Sequence, residues 1–300
     1  MRRPYDLVVL GSGTVGGTVA HAVRKAGWSV AIVDPAPFGG TCALRGCMPK
    51  KILYGAAELI DWSNRMQGKG VRGSAAIDWT ELMAFKRSFT EPIPESRAQG
   101  YARAGIDAYR GTARFVDGRT VSVGDDVLEA DRVVIATGAR PRTLEFPGAD
   151  LLVTSDAFLE LDSLPHRIAF VGGGYISFEL AGIAARAGAE VTILHRDASP
   201  LGQFEPELVE QLVSATRAAG VDIRLEAPVT AVRATGQAFS VEAGGESVSA
   251  DLVVHGAGRV PMVDALDLAA GGVERGKLGV TVTDTLQSVS NPHVYAGGDA

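Results

Sequence analysis

A unit of 28 residues occurs twice in this chain at a constant offset of 161, and nothing else in the sequence constrains the fold as much. The first copy is LVVLGSGTVGGTVAHAVRKAGWSVAIVD, residues 7–34; the second is IAFVGGGYISFELAGIAARAGAEVTILH, residues 168–195. Each opens on an apolar run of strand length, turns on glycines, continues as an alanine-rich helix ending in Ala-Gly, and closes on a second apolar run. That is β-α-β twice, and it predicts an α/β protein of two Rossmann-like domains. The glycines stand at Gly11, Gly13 and Gly16, and again at Gly172 and Gly174, with Ser177 in the third place. The first glycine allows a tight turn, the second lets backbone approach a pyrophosphate, and the third lets the helix pack closely on the strand. The helix then presents unclaimed N–H groups to the anion. Two dinucleotide sites are expected; two purely structural units of the same topology are the alternative.

The last residue of each unit bears on which nucleotide each site takes. Asp34 is placed to accept hydrogen bonds from a ribose 2′-hydroxyl. By the offset its counterpart is His195, followed by Arg196. A cation next to the missing acid suits a 2′-phosphate, so the second site is expected to take NADP(H). The alternative is NAD(H), with Arg196 a solvated charge and Asp197 on the ribose.

Along the chain, residues 1–150 are expected to form the first domain, 151–272 the second, inserted in it, and 273–300 a return to the first. Helices are predicted from about 50 to 66 and across 78–103, strands over 107–136, and a Pro/Gly-rich connector at 138–150. The net charge of −6 weighs against a nucleic-acid or anionic-membrane partner. No apolar run approaches the roughly 18–20 residues that span a bilayer. The apolar run after the N-terminal arginines is too short for a signal peptide and enters a glycine turn. A cytoplasmic protein is expected, and disulfides in that compartment are usually catalytic.

The only two cysteines, Cys42 and Cys47, lie in GGTCALRGCMPKK, residues 39–51. Three readings are open: buried small hydrophobes, half of a zinc site, or a redox couple. None of the five histidines (21, 166, 195, 255 and 293) flanks the pair, so zinc would need distant ligands, and no metal site is expected. On a regular helix the two Cα atoms would be about 8–9 Å apart, whereas a disulfide needs less than about 7 Å. For the two to be bridged the segment must bend or unwind, which Gly46 and Pro49 favour. The neighbouring lysines favour thiolate.

These motifs together resemble the flavin-dependent pyridine nucleotide–disulfide oxidoreductases, the group of glutathione reductase, dihydrolipoamide dehydrogenase and mercuric reductase. The resemblance runs from Gly39-Gly40-Thr41-Cys42 and Gly46-Cys47-Met48-Pro49-Lys50-Lys51 through Ala136-Thr137-Gly138, Gly174-Tyr175-Ile176-x-x-Glu179, Gly258-Arg259-Val260-Pro261 and Tyr295-Ala296-Gly297-Gly298-Asp299. It covers essentially the whole chain.

The resemblance implies that FAD lies on Gly11, Gly13 and Gly16, with Asp34 at its adenosine ribose and Asp299 near its ribityl chain. Further cofactor contacts are implied for Ser12, Thr14, Gly40, Thr41, Ala113, Thr137, Gly138, Gly172, Gly174, Ile176, His195, Arg196, Gly258 and Arg259. It implies that Cys47 is the flavin-proximal sulfur, that Cys42 attacks the substrate disulfide, that Lys51 and Glu179 form an ion pair near the flavin, and that Tyr175 gates the nicotinamide pocket. Electrons would pass from NADPH through FAD to the cysteine pair and on to a small disulfide. Dihydrolipoamide or mercuric-ion chemistry, or a catalytically silent flavin-binding redox sensor, are the alternatives.

Two features depart from the family pattern. Leu44, beside Arg45, replaces the usual asparagine, and Gly202 stands where a second basic residue is expected. The family's chains are longer and end in a dimerisation domain with a His-Glu acid/base pair. The full-length protein is therefore expected to be a homodimer, and residues 1–300 alone a monomer.

Overall fold

The computed structural model describes residues 2–300. The first β-α-β forms as predicted: β1 (Arg2–Leu10), α1 (Thr14–Lys25) and β2 (Val30–Asp34), with the two strands parallel. Then come α2 (Gly40–Leu44), α3 (Cys47–Arg65), α4 (Trp79–Thr90) and α5 (Ile93–Ala104). The single helix expected across 78–103 is thus two. Pro92 lacks the N–H that would continue α4 and disfavours helical backbone at Glu91, while Pro94 is harmless in the first turn of α5. The strands expected over 107–136 are β3 (Asp107–Arg110), β4 (Ala113–Asp117), β5 (Thr120–Val123) and β6 (Asp126–Ile135).

After β7 (Ala139–Pro141) and the short α6 (Ser155–Phe158) comes the second β-α-β: β8 (Arg167–Val171), α7 (Tyr175–Arg186) and β9 (Glu190–Leu194). It continues through α8 (Pro206–Ala218) and β10 (Val221–Arg224) into the meander β11 (Val229–Thr235), β12 (Ala238–Ala243) and β13 (Glu246–Ala250), then β14 (Leu252–His255). The chain closes with β15 (Arg259–Pro261), the hairpin β16 (Arg275–Gly276) and β17 (Gly279–Val280), and β18 (Val294–Ala296).

Contacts divide the chain into two units. The first runs up to Cys47 and includes Phe89–Arg140 and Arg259–Ala300; the second is Met48–Ser88 with Pro141–Gly258. Two expected boundaries are corrected. Residues 48–88 group with the second unit, because Leu53, Ala57, Trp79 and Met83 join the core around Ile168, Phe170 and Ala181. The return to the first unit starts at Arg259 rather than 273, because Val263, Leu266 and Leu268 already lie in the core of the first sheet.

The sheet of the first unit has the order β3-β2-β1-β6-β5-β4. β1, β2, β3 and β6 are mutually parallel, and β18 pairs in parallel with the C-terminal half of β6. Every residue of β2 is buried, as expected for a parallel strand covered on both faces. Val8, Leu10 and Val33 face one core; Leu7, Val9 and Ile32 face another, shared with Ala20 of α1 and Tyr101 of α5.

In the second unit the sheet order is β10-β9-β8-β14, all parallel. One face carries the core just described, together with Val209 and Val213 of α8. The other packs Ala169, Val171 and Val253 against Val232, Val241 and Val248 of the meander. Strand order therefore reverses at β1/β6 in one unit and at β8/β14 in the other, and in sheets of this kind ligands bind outside the C-terminal ends of the strands at such a reversal. Among the described residues, no helix is long and apolar enough to cross a membrane.

Candidate active site

Both glycine turns sit at these reversals, and each fits because it lacks side chains. Gly11 has φ +106°, and a Cβ there would lie 2.2 Å from the carbonyl oxygen of Ala136, just past β6. Gly172 has φ +105°, and a Cβ would lie 2.6 Å from the carbonyl oxygen of Gly256, just past β14. The backbone bonds match too: Gly11 N–H donates to Val33 O at 2.7 Å and Gly172 N–H to Leu194 O at 2.8 Å. Gly13 and Gly174 are the N-cap residues of α1 and α7, neither helix has a side-chain cap, and neither has an acid in its first turn. The first N–H groups of both helices are thus unclaimed by side chains, which is what a pyrophosphate requires.

The third glycine position differs between the units. A Cβ on Gly16 would come within 1.9 Å of Gly11 O, so only glycine fits. Ser177 is accommodated at the equivalent place by a compensating change across the gap, since a Cβ on Gly256 would lie 1.9 Å from Ser177 Oγ. Ala136 and Gly256 occupy matching positions, donating to Leu10 O and Val171 O. The pair Gly16/Ala136 has become Ser177/Gly256. Ser177 is fully buried and its hydroxyl has no hydrogen-bond partner.

Asp34 is 9% exposed and fastens the first turn. Its Oδ2 accepts from Ser12 N–H at 2.8 Å and Ser12 Oγ–H at 2.7 Å, and its Oδ1 accepts from Ala36 N–H at 2.8 Å. Ser12 Oγ in turn accepts from Gly39 N–H at 3.2 Å. Gly39 and Gly40, at φ +136° and +68°, lead the chain across the turn, where a Cβ on Gly40 would lie 2.3 Å from Gly13 Cα. The cysteine segment therefore starts on the first nucleotide turn.

That segment is broken, as a bridge between the two cysteines would require. Thr41 and Cys42 lie in α2, Arg45 and Gly46 are outside any helix, and Cys47 opens α3; both thiols are exposed. Gly46 acts by leaving room, since a Cβ there would lie 3.1 Å from Thr41 O. Pro49 does not break the chain as expected. It sits in the first turn of α3, where its missing N–H has no intrahelical partner to lose.

Elsewhere in the first unit, Gly297 N–H donates to Ile135 O at 3.0 Å, and Gly297 and Gly298 lie against Val15 of α1, leaving Asp299 exposed beyond them. Thr137 Oγ1 is buried without a hydrogen-bond partner, and Gly138 has φ +70°. Thr14 is exposed at the start of α1. Ala113 opens β4 with its methyl in the core, so its side chain is packing. Arg259 donates to Ala139 O.

In the second unit the expected ion pair is corrected. Glu179 on α7 pairs with Lys50, not Lys51: Lys50 Nζ donates to Glu179 Oε1 at 2.6 Å. The buried stripe of α3 is Pro49, Leu53, Ala57 and Ile60. At about 100° per residue Lys50 stands beside that stripe and Lys51 nearly opposite it, exposed. Counting the helix face from Leu53 and Ala57 would have found Lys50 in the sequence. Tyr175 is exposed as the first residue of α7, with Ile176 half-buried behind it. Gly258, at φ +110°, ends the unit. Arg196 is 76% exposed, its Nε 3.2 Å from Asp197 Oδ2. Among the described residues, no cluster of three His, Cys, Asp or Glu side chains could hold a metal ion.

One dinucleotide-type turn thus carries the thiol pair on its own glycine bridge, and a second turn of matching backbone opens α7 in the other unit. The chain belongs to the pyridine nucleotide-disulphide oxidoreductase family, whose model matches residues 5–300. It is 35% identical over 297 residues to a glutathione reductase of Burkholderia cepacia, covering 98% of this chain and 66% of that one. It is 32% identical over 306 residues to a mercuric reductase of Lysinibacillus sphaericus, covering 98% of this chain and 56% of that one. The fold superposes with a TM-score of 0.88 on the HOCl-induced flavoprotein disulfide reductase RclA from Escherichia coli, at 26% identity, over 98% of this chain and 66% of that one. The chain thus spans between about half and two thirds of the length of these relatives.

Proposed function

We propose that this chain carries the electron-transfer part of an FAD-dependent NADPH:disulfide oxidoreductase. The observation that carries the reading is the fastening of the cysteine segment to the first nucleotide turn, through Gly39, Ser12 and Asp34 and through the close approach of Gly40 to Gly13. A ligand on that turn is thereby tied to the thiols, which core-filling or zinc-binding cysteines would not need.

Gly11, Gly13, Gly16 and the uncapped start of α1 would hold the FAD pyrophosphate, with Asp34 at the adenosine ribose and Asp299 beyond the helix start. FAD, when bound, supplies the two-electron link between a nicotinamide and the thiol pair. Gly172, Gly174 and the start of α7 would hold the nicotinamide dinucleotide, and the exposed Arg196 supports NADPH over NADH. Reduction of a Cys42–Cys47 disulfide breaks one S–S bond and takes two electrons and two protons. NADPH provides a hydride, solvent provides a proton, and NADP⁺ is left. Cys47, at the start of α3 and one turn from Lys50, suits the flavin-side sulfur; Cys42 is the thiol for exchange with a small substrate disulfide. The enzyme would act as a homodimer.

The likeness to mercuric reductases favours a second acceptor, a thiophilic metal ion taken by the same two thiols. The test is NADPH oxidation by the FAD-loaded protein with glutathione disulfide, with Hg²⁺ or with no acceptor. A disulfide-dependent rate supports the reading; an Hg²⁺-dependent rate alone selects the second; flavin that NADPH does not reduce contradicts both.

A further inference from the structure

The turn before α7 is fastened differently from the turn before α1. Where Ser12 N–H donates to Asp34 in the first unit, Gly173 N–H donates to Nδ1 of His195 at 3.0 Å in the second. That bond needs a lone pair on Nδ1. The other ring nitrogen, Nε2, lies 3.0 Å from the carbonyl oxygen of Ser199, which can only accept, so Nε2 carries the proton. The two partners define a neutral imidazole in one tautomer. Gly173 is held from its other side as well, its carbonyl accepting from Leu201 N–H at 3.1 Å. A Cβ on Gly173 would lie 2.7 Å from His195 Cγ and 2.8 Å from Pro200 Cβ, so the segment 195–201 closes directly over the turn.

We infer that His195 is a positioning residue for the second dinucleotide site: as a neutral imidazole it holds Gly173 and the anion-facing start of α7 in place, and its protonation releases them. The inference rests on reading the second unit as the nicotinamide dinucleotide half. Protonation would set an N–H of the ring against the N–H of Gly173. The side chain is 14% exposed, and the carboxylate of Asp197 lies 3.7 Å from Nε2, ready to draw the charged ring away from the turn. Arg196 adjoins it and is engaged by the same Asp197. On β10, Arg224 is turned to Asp222 and Glu246, and Gly173 and Ser199–Leu201 bring no charged side chain. The two turns are thus fastened by different acceptors, a carboxylate in one and an imidazole in the other, although their backbones match.

The test is calorimetric binding of ADP-ribose, which has no 2′-phosphate to titrate, to the FAD-loaded chain. As the pH is lowered from about 8 to about 5.5, wild-type affinity should fall roughly three- to tenfold, the worth of one hydrogen bond. His195→Asp and His195→Asn keep an acceptor near Nδ1 and should bind with nearly constant affinity over that range. His195→Ala should bind weakly at every pH while retaining its FAD. Wild-type affinity independent of pH, or a His195→Asn variant that keeps the wild-type pH profile, would overturn the inference alone. No binding of ADP-ribose to wild type at pH 8 would overturn the reading of the second unit along with it.

Discussion

Lys50 and Glu179 are joined at 2.6 Å between α3 and α7, with side chains 26% and 39% exposed. A pair this open contributes at most about 1 kcal/mol to stability, so its value lies in where it holds a charge, one turn along α3 from Cys47. Lys50→Ala and Glu179→Gln should each slow flavin reduction by NADPH on the order of tenfold, the worth of one charge-assisted contact, with little change in melting temperature. Lys51→Ala should be near wild type. Stopped-flow absorbance checks this, and a larger effect from Lys51 than from Lys50 would reassign the pair.

The exchange of Gly16/Ala136 for Ser177/Gly256 makes a packing prediction that does not depend on function. Gly256→Ala places a methyl 1.9 Å from Ser177 Oγ in a fully buried gap and should cost about 1–3 kcal/mol. Ser177→Ala, which removes a buried hydroxyl without a partner, should be neutral or stabilising. The double variant should recover much of the loss. Chemical denaturation of the four proteins gives the coupling, and additivity would show that the two sites do not share the gap.

Arg196→Glu should weaken NADPH much more than NADH, by roughly tenfold or more, because it removes a charge-assisted contact and adds repulsion of the 2′-phosphate. Equal losses for the two coenzymes would remove the case for NADPH.

Asp251 fastens the N-terminal ends of β8 and β14, its Oδ2 accepting from Arg167 N–H at 2.9 Å and from Arg167 Nε at 3.2 Å. Those hydrogen bonds hold its carboxyl below the ordinary carboxylate range, the Arg167 side chain being the main cause. A folded pKa below the unfolded one contributes stability that is complete above the unfolded value and is lost as pH falls through the folded value. Asp251→Asn should therefore lower the melting temperature at pH 7, and the difference from wild type should shrink in acid. A difference that stays constant from neutral pH into acid would refute the linkage.

The sequence made the repeat legible because each β-α-β carries its period, its glycines and its strands within 28 residues. What it hid was long-range. The compensation of Ser177 by Gly256 is invisible along the chain because the two residues are far apart in sequence and meet only where β14 ends beside α7. The grouping of 48–88 with the second unit is likewise a matter of where Leu53 and Met83 find a core. Lys50 was legible in principle, from the helical face set by Pro49, Leu53, Ala57 and Ile60, but two adjacent lysines invite the wrong choice unless that face is counted. The role of His195 is not written along the chain, since only its two hydrogen bonds in the folded protein distinguish a turn fastener from a ligand of the 2′-phosphate.

On the proposed function, Cys42 and Cys47 are a redox couple fed by reduced nicotinamide through a flavin on the first nucleotide turn. The direct measurement is differential alkylation and mass spectrometry of the peptide carrying both cysteines, on oxidised FAD-loaded protein before and after one equivalent of NADPH without oxygen. The peptide should be bridged and unlabelled beforehand and labelled at both cysteines afterwards, with no such change when Ser12→Ala and Asp34→Ala abolish FAD loading. Labelling at both cysteines before NADPH is added, after treatment with a mild oxidant, or flavin reduction that leaves the bridge intact, would contradict it.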